Sequence, residues 1–419
     1  MPHSAGLAPC LHSPSPEGGP ARSAVVDPRV PSVDGLRGLA ILLVMLSHFV
    51  RAPQSGLLVD RIFWRVASVG WCGVDLFFVL SGFLITGILL DGAAAGSSPR
   101  NFYARRALRV VPVYYLLLAL ILVVRPHFAP ADAAAIRRVA DNQAWYWGFA
   151  SNVLIARPGQ WESAVPWTLH FWSLAVEEQF YLVWPLLVWL GGQRHAAKLC
   201  IAAMLVSIVG RFIWWRTTND LVGSYVLTPL RFDGLAAGAF VAVGLRSDRL
   251  RSRLERSVVA VAVTSLALFA LIAASTPEPE NFQPKMQMLG FPVLAVGFAA
   301  LLVLALRQGG PLPRWLTARP LRSAGRYSYA AYLLHYPVIF AVASFGLLDD
   351  ALPRIAGSQL HSMLLLVLVA GTVSFALAWV SWHLVESHAL RLKRFFPYGR
   401  GSASAVAVVR ADGASSLAA

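Results

Sequence analysis

Apolar runs of about twenty residues follow one another along most of this chain, broken by short stretches in which Arg, Pro, Gly or Asp collect. As α-helix, a run of that length matches the roughly 30 Å hydrocarbon layer of a bilayer. Ten such runs predict ten spans, near residues 35–50, 71–90, 108–124, 170–190, 198–215, 225–245, 257–274, 288–306, 327–346 and 362–385. The aromatic stretch AWYWGFASNVL at 144–154 is expected to be re-entrant or interfacial. The fold class expected is an all-α integral membrane protein, a bundle of about ten transmembrane helices.

Composition agrees, because 57% of residues are hydrophobic, 14% are charged and the mean hydropathy is +0.59, which excludes an ordinary soluble domain. Residues 1–32 are rich in Pro, Ser, Gly and Ala and lack a continuous apolar core, so they read as a disordered tail and not as a secretory leader. Residues 391–419 turn basic and then small and polar, a second tail, which leaves 33–390 as one membrane domain. With the N-terminus placed in the cytoplasm, the inner segments hold roughly twice as many Lys and Arg as the outer loops, as the positive-inside bias requires. Both termini are therefore expected to be cytoplasmic, in a multi-pass protein of the cell's inner (cytoplasmic) membrane. The net charge of +15 meets anionic inner-leaflet lipids and needs no nucleic acid. Cys10, Cys72 and Cys200 have neither metal-site nor redox spacing.

Ionisable groups inside spans are expensive and usually functional. Arg37 and His48 lie in one apolar helix with ten residues between them. Eleven residues of helix turn through about 1,100° and rise about 16 Å, so the two side chains share a face near opposite ends of the span. The expected orientation puts Arg37 at the inner end and His48 near the outer end. Asp75, His170, Glu177, Arg231 and Asp233 fall in the outer half, and His335 sits near the middle of the ninth span. Plainer roles exist: Asp75 can cap its helix, Arg105, Arg106 and Arg109 can be positive-inside anchors, and Trp residues gather at interfaces. Glu177 and Glu178 point about 100° apart, so one of them, Glu177, is expected to face a site.

Six motifs occur in order: DGLRGLAILLVMLSHF (34–49), GVDLFFVLSGFLI (73–85), FYARRALRVVPVYY (102–115), FWSLAVEEQFYLVWP (171–185), LRFDGLAAGA (230–239) and YSYAAYLLHYP (327–337). Together they resemble the membrane acyltransferase-3 family of bacterial O-acyltransferases. The resemblance implies a ten-helix domain that takes an acyl group, usually acetyl, from cytoplasmic acyl-CoA to a hydroxyl of a glycan, glycolipid or, in some members, a macrolide. It implies that Arg37 and His48 are the key residues of the first helix, that Arg105, Arg106 and Arg109 form the arginine motif of the third, and that Glu177 belongs to the acidic motif of the fourth. Glu386 departs from the family pattern, being followed by Ser387 and His388 instead of a nearby Pro.

The chemistry has its own logic. Acyl transfer from a thioester to an alcohol needs a base for the hydroxyl proton and donors for the oxyanion. Histidine titrates near neutrality, and arginine keeps its charge and presents a fork suited to phosphate. The expectation is that Arg37 and the arginine motif hold the CoA phosphates, that His48 is base or acyl-carrying nucleophile, and that Glu177 or Asp75 orients its imidazole. No permanently bound cofactor is expected; acyl-CoA is a substrate. The competing class is a proton-coupled transporter without chemistry, which buried His, Arg and Asp also describe. The loop 125–169, with Trp145, Trp147, Trp161, Trp167, Gln143, Asn152 and Gln160, is a candidate surface for a carbohydrate acceptor. The acceptor's identity and the oligomeric state are not legible in the sequence.

Overall fold

A computed structural model describes residues 30–94, 96–128, 133–161, 164–192, 195–276, 281–307, 310–344 and 354–397. Most of the two expected tails, 1–29 and 398–419, lies outside the described residues. The main helices are α1 (Pro31–Phe49), α2 (Leu58–Ser68), α3 (Gly73–Ala94), α4 (Pro99–Ala119), α5 (Phe171–Gly191), α6 (Ala196–Thr218), α7 (Phe232–Gly244), α8 (Asp248–Ala274), α9 (Phe291–Leu306), α10 (Arg319–Ser344) and α11 (Leu360–Ser381). Among the described residues the one β pairing is an isolated bridge, Ile355 to Ser358.

Seven helical stretches are long and apolar enough to cross a membrane: Pro31–Phe49, Leu58–Ala93, Pro99–Val124, Ala196–Thr218, Asp248–Ala274, Met286–Leu306 and Leu360–Phe395. The other three predicted spans fall on α5, α7 and α10. The 13 residues of α7 rise only about 20 Å, and α5 and α10 carry Glu177, Glu178 and His335 along their lengths. Two of these helices, α5 and α10, contribute polar side chains to the site, together with α1 and α4.

Burial separates centre from rim. In the stretch Leu58–Ala93, 78% of the most apolar window is buried by protein, against 17% in α8, whose Val259, Val263, Leu266 and Leu271 point outward. Lipid is as apolar as a leucine side chain, so helices in it associate through close packing and not through hydrophobic burial. Glycine supplies that closeness where α1 meets α10. A Cβ on Gly38 would lie 2.0 Å from the Leu321 carbonyl oxygen, and one on Gly325 1.8 Å from that of Asp34. With the two backbones in contact, side chains further along them are brought to bonding distance. The aromatic segment folds as two short helices, Gln143–Trp147 and Ser151–Ile155, joined through Phe149 in a left-handed conformation (φ 51°).

Candidate active site

Arg37 and His48 project from α1 into two different cavities. The first spans about 780 Å³ with its open mouth included and is lined by Arg37, by Arg106 and Arg109 of α4, by Glu177 and Tyr181 of α5 and by Ser81 of α3, among others. Arg37 Nη2 donates to the Ser328 hydroxyl at 3.3 Å, while its buried Nε has no hydrogen-bond partner. Arg106 lies 3.8 Å from Glu177 and 3.5 Å from Glu178, with its guanidinium carbon 3.6 Å from the centre of the Tyr181 ring. Glu177 accepts from the Ser81 hydroxyl at 3.0 Å and from Tyr181 at 2.9 Å. Arg37, Arg106 and Arg109 on the wall outnumber Glu177 there and Glu178, which pairs with Arg106, leaving a surplus of positive charge suited to an anion.

The second cavity, about 1240 Å³, is lined by His48, His170, Trp71, Trp161, Trp172 and Tyr336, among others. His48 Nδ1 stands 2.9 Å from His335 Nε2, and His335 Nδ1 lies 2.6 Å from the Tyr332 carbonyl oxygen. One turn of α10 explains the neighbouring histidine. Pro337 has no N–H, so the carbonyl of Leu333, four residues earlier, loses its helical donor. His170 Nε2–H takes that place at 3.2 Å, and the His170 ring stacks on Tyr336 with centroids 4.9 Å apart. Tyr332 and Val74 line both cavities, so the arginine and histidine sites share a wall. There the Tyr332 and Ser173 hydroxyls are hydrogen-bonded to each other, and Tyr332 also donates to the His170 carbonyl at 3.2 Å.

Three expectations about side chains meet a different arrangement. Asp75 does not reach His48: its carboxylate accepts from Arg231 Nη2 at 2.7 Å in a pair whose side chains are 5% and 0% exposed. Arg231 is caged by aromatic rings, the nearest being Phe291 at 4.1 Å, and Asp233 is paired in the same layer with Arg211 at 2.7 Å. Asp75 therefore supports the core behind Trp172 and Tyr225, which themselves line the histidine cavity. Glu177 is bonded in the arginine cavity, about two helical turns along from His170, and among the described residues makes no hydrogen bond with His48. The group in the orienting position is His335. Arg105 does not join Arg106 and Arg109 on the cavity wall; it donates to the Lys393 and Phe396 carbonyls, both at 3.1 Å, and holds the carboxy-terminal turn.

Of the aromatic loop, Trp161 alone among the four expected tryptophans lines the histidine cavity. Trp167 is buried, and Asn152 is consumed by bonds to Val226 and Thr228 at 3.1 and 2.9 Å. Sequence reasoning passed over the partnership of His335 with His48 and the place of Tyr332 between the cavities. The one signal available, Pro337, marks a helix turn with a carbonyl to satisfy and points to the place of His170, not to the His335 pairing.

Stacked apolar helices around buried cations and histidines define a multi-pass membrane protein with a polar interior site. Residues 30–383 match the family described as "Acyltransferase domain", and the chain belongs to it. It is 30% identical over 387 residues to "Peptidoglycan O-acetyltransferase OatA" of Listeria monocytogenes, covering 89% of this chain and 57% of that protein. It is 30% identical over 386 residues to "Putative peptidoglycan O-acetyltransferase YrhL" of Bacillus subtilis, covering 88% and 56%. Over 327 residues it is 26% identical to "O-acetyltransferase OatA" of Staphylococcus aureus, covering 75% and 51%. The chain thus spans little more than half the length of these relatives. No solved structure matches it.

Proposed function

We propose that this protein is a membrane O-acyltransferase that moves an acyl group, acetyl by the relatives' names, from cytoplasmic acyl-CoA to a hydroxyl of a cell-envelope glycan or glycolipid. The relatives named for peptidoglycan make a glycan the first acceptor to test. The reading places about ten spans in the cell's inner membrane with both termini cytoplasmic, Arg37 toward the donor side and His48 toward the acceptor side.

The observation that carries it is the shared wall: a cation-lined cavity and a histidine-lined cavity meet at Tyr332 and Val74. Arg37, Arg106 and Arg109 suit the donor's phosphates, with its thin pantetheine arm directed past Tyr332 toward His48. His48 then either removes the acceptor proton or takes the acyl group itself. Trp71, Trp161 and Trp172 give the acceptor cavity the flat apolar faces on which sugar rings stack. A proton-coupled carrier accounts for buried charge as well, but not for membership of an acyltransferase family.

Inverted membrane vesicles loaded with a cell-envelope glycan extract and supplied from outside with radiolabelled acetyl-CoA test the reading. Wild-type protein is expected to put label into glycan, and His48→Ala, inserted to the same level, is expected to put in none. Full turnover by His48→Ala would sink the central claim. Label held on wild-type protein and chased into glycan would select the acyl-enzyme route.

A further inference from the structure

The hydrogen-bond chain from α10 to α1 determines which nitrogen of His48 carries its proton. A carbonyl oxygen has only lone pairs, so the His335 Nδ1 lying 2.6 Å from the Tyr332 carbonyl is an N–H. His335 is 0% exposed and no carboxylate is hydrogen-bonded to it among the described residues, so a charged ring there would have no counterion. The ring is neutral and carries one N–H, which makes its Nε2 an acceptor. The atom 2.9 Å from that acceptor is His48 Nδ1, which must donate. The lone pair of His48 is then on Nε2, in a side chain that lines the cavity.

The structure therefore assigns His335 as a positioning residue that holds His48 in its Nδ1–H tautomer with Nε2 basic. The inference rests on the acyl-transfer reading and deepens it. In direct transfer, Nε2 takes the acceptor's hydroxyl proton as the oxygen bonds to the thioester carbon, and the C–S bond breaks. The departing thiolate then recovers that proton from the imidazolium. In the acyl-enzyme route Nε2 itself bonds to the carbonyl carbon as the C–S bond breaks, giving an N-acyl-imidazolium and CoA thiolate; the acceptor oxygen then bonds to the acyl carbon, the C–N bond breaks to return neutral imidazole, and the proton released by the hydroxyl balances the one the thiolate takes up. Both routes fail if Nε2 carries the proton at the start. A carboxylate does this orienting work in serine-protease triads, where the wrong tautomer lowers kcat by about 10⁴. Here a second histidine, itself held by a helix carbonyl, does it without adding a charge to the interior.

Two substitutions of His335 separate this role from packing. In His335→Gln the amide oxygen occupies about the place of Nε2 and still accepts from His48, whereas His335→Leu offers no acceptor. The experiment measures turnover in the vesicle assay and the His48 tautomer by ¹⁵N NMR of histidine-labelled protein, with His48 assigned by its absence in His48→Ala. Wild type is expected to show Nδ1–H at His48. His335→Leu is expected to lose kcat by about a hundredfold or more with the donor KM within about threefold, and His335→Gln to stay within about tenfold of wild type. An Nε2–H tautomer in wild type, or full-rate turnover by an inserted His335→Leu, overturns the assignment. If His335→Leu does not insert, His335→Gln decides: turnover with Nδ1–H retained supports it, and no turnover with that tautomer intact overturns it. Turnover by His48→Ala would instead remove His48 from the centre of the reaction, and no label in glycan from inserted wild type would bring down the acyl-transfer reading itself.

Discussion

In the arginine cavity the charged side chains are bonded to one another and to hydroxyls, with Arg106 between Glu177 and Glu178 and Glu177 held by Ser81 and Tyr181. Across Tyr332, the histidine cavity has a run of neutral rings linked nitrogen to nitrogen and nitrogen to carbonyl, His48 to His335 to Tyr332 and His170 to Leu333. The contrast fits what the proposed reaction would ask of each site. Holding a polyanion calls for cations that do not lose their protons, and arginine is the side chain that guarantees this inside a membrane. Moving a proton calls for a group that can take one and return it, and a fixed charge beside it would bias that exchange. A third polar layer, Asp75 with Arg231 and Asp233 with Arg211, shows charges used for neither purpose.

The largest effects are expected where a carboxylate has no water to fall back on. Removing one member of a buried ion pair leaves the other charge unpaired and costs about 3–5 kcal/mol. Asp75→Ala is therefore expected to lower the unfolding temperature in detergent and the yield of inserted protein, with turnover per inserted molecule reduced through the displaced Trp172 and Tyr225 wall. Glu177→Gln, on a cavity wall with side-chain exposure of 16%, is expected to insert normally and to weaken donor use. Equal melting temperatures for Asp75→Ala and wild type would show that the buried pair is not the support described here.

A middle-sized effect separates the two cavities kinetically. Arg37 reaches its cavity with one guanidinium nitrogen, Nε, unbonded, a donor awaiting an oxygen. Hydrogen bonds to charged groups are worth about 1.5–3 kcal/mol, which converts to roughly ten- to hundredfold in affinity. Arg37→Met is expected to raise the apparent KM for acetyl-CoA by about that factor while kcat at saturating donor falls much less; His48→Ala abolishes kcat. A loss confined to kcat in Arg37→Met would move Arg37 from donor binding to the oxyanion.

What could be read from the sequence was local, and what could not was the pairing of distant helices. The ten residues between Arg37 and His48 fix a shared helical face, and the two side chains do line successive cavities along α1. The approach of α10 depends on Gly38 and Gly325, 287 residues apart, and nothing in the pattern of apolar residues says which glycine packs on which backbone. His335 therefore stood in view as a histidine in a span without its partner. Asp75 misled for the same reason: a carboxylate at a helix start has several uses, and the choice was made by Arg231, 156 residues further on.

The smallest expected effect distinguishes members of a single motif. Arg105, Arg106 and Arg109 are nearly consecutive, and helical spacing alone does not single out Arg105, which lies about 100° round the helix from Arg106 but only about 40° from Arg109. The Arg105 guanidinium instead binds the backbone of the carboxy-terminal turn, which Asn101 also grips through the Pro397 carbonyl at 2.7 Å. A solvent-reachable hydrogen bond of that kind is worth about 1 kcal/mol. Arg105→Met is expected to leave the donor KM within about threefold of wild type while making the bonds after Arg391, Lys393 and Arg394 easier for trypsin to cut. Arg106→Met and Arg109→Met are expected to show the reverse, a raised donor KM with the turn still protected. A donor KM raised as far in Arg105→Met as in Arg109→Met would return Arg105 to the donor site and make the carboxy-terminal turn a consequence of it.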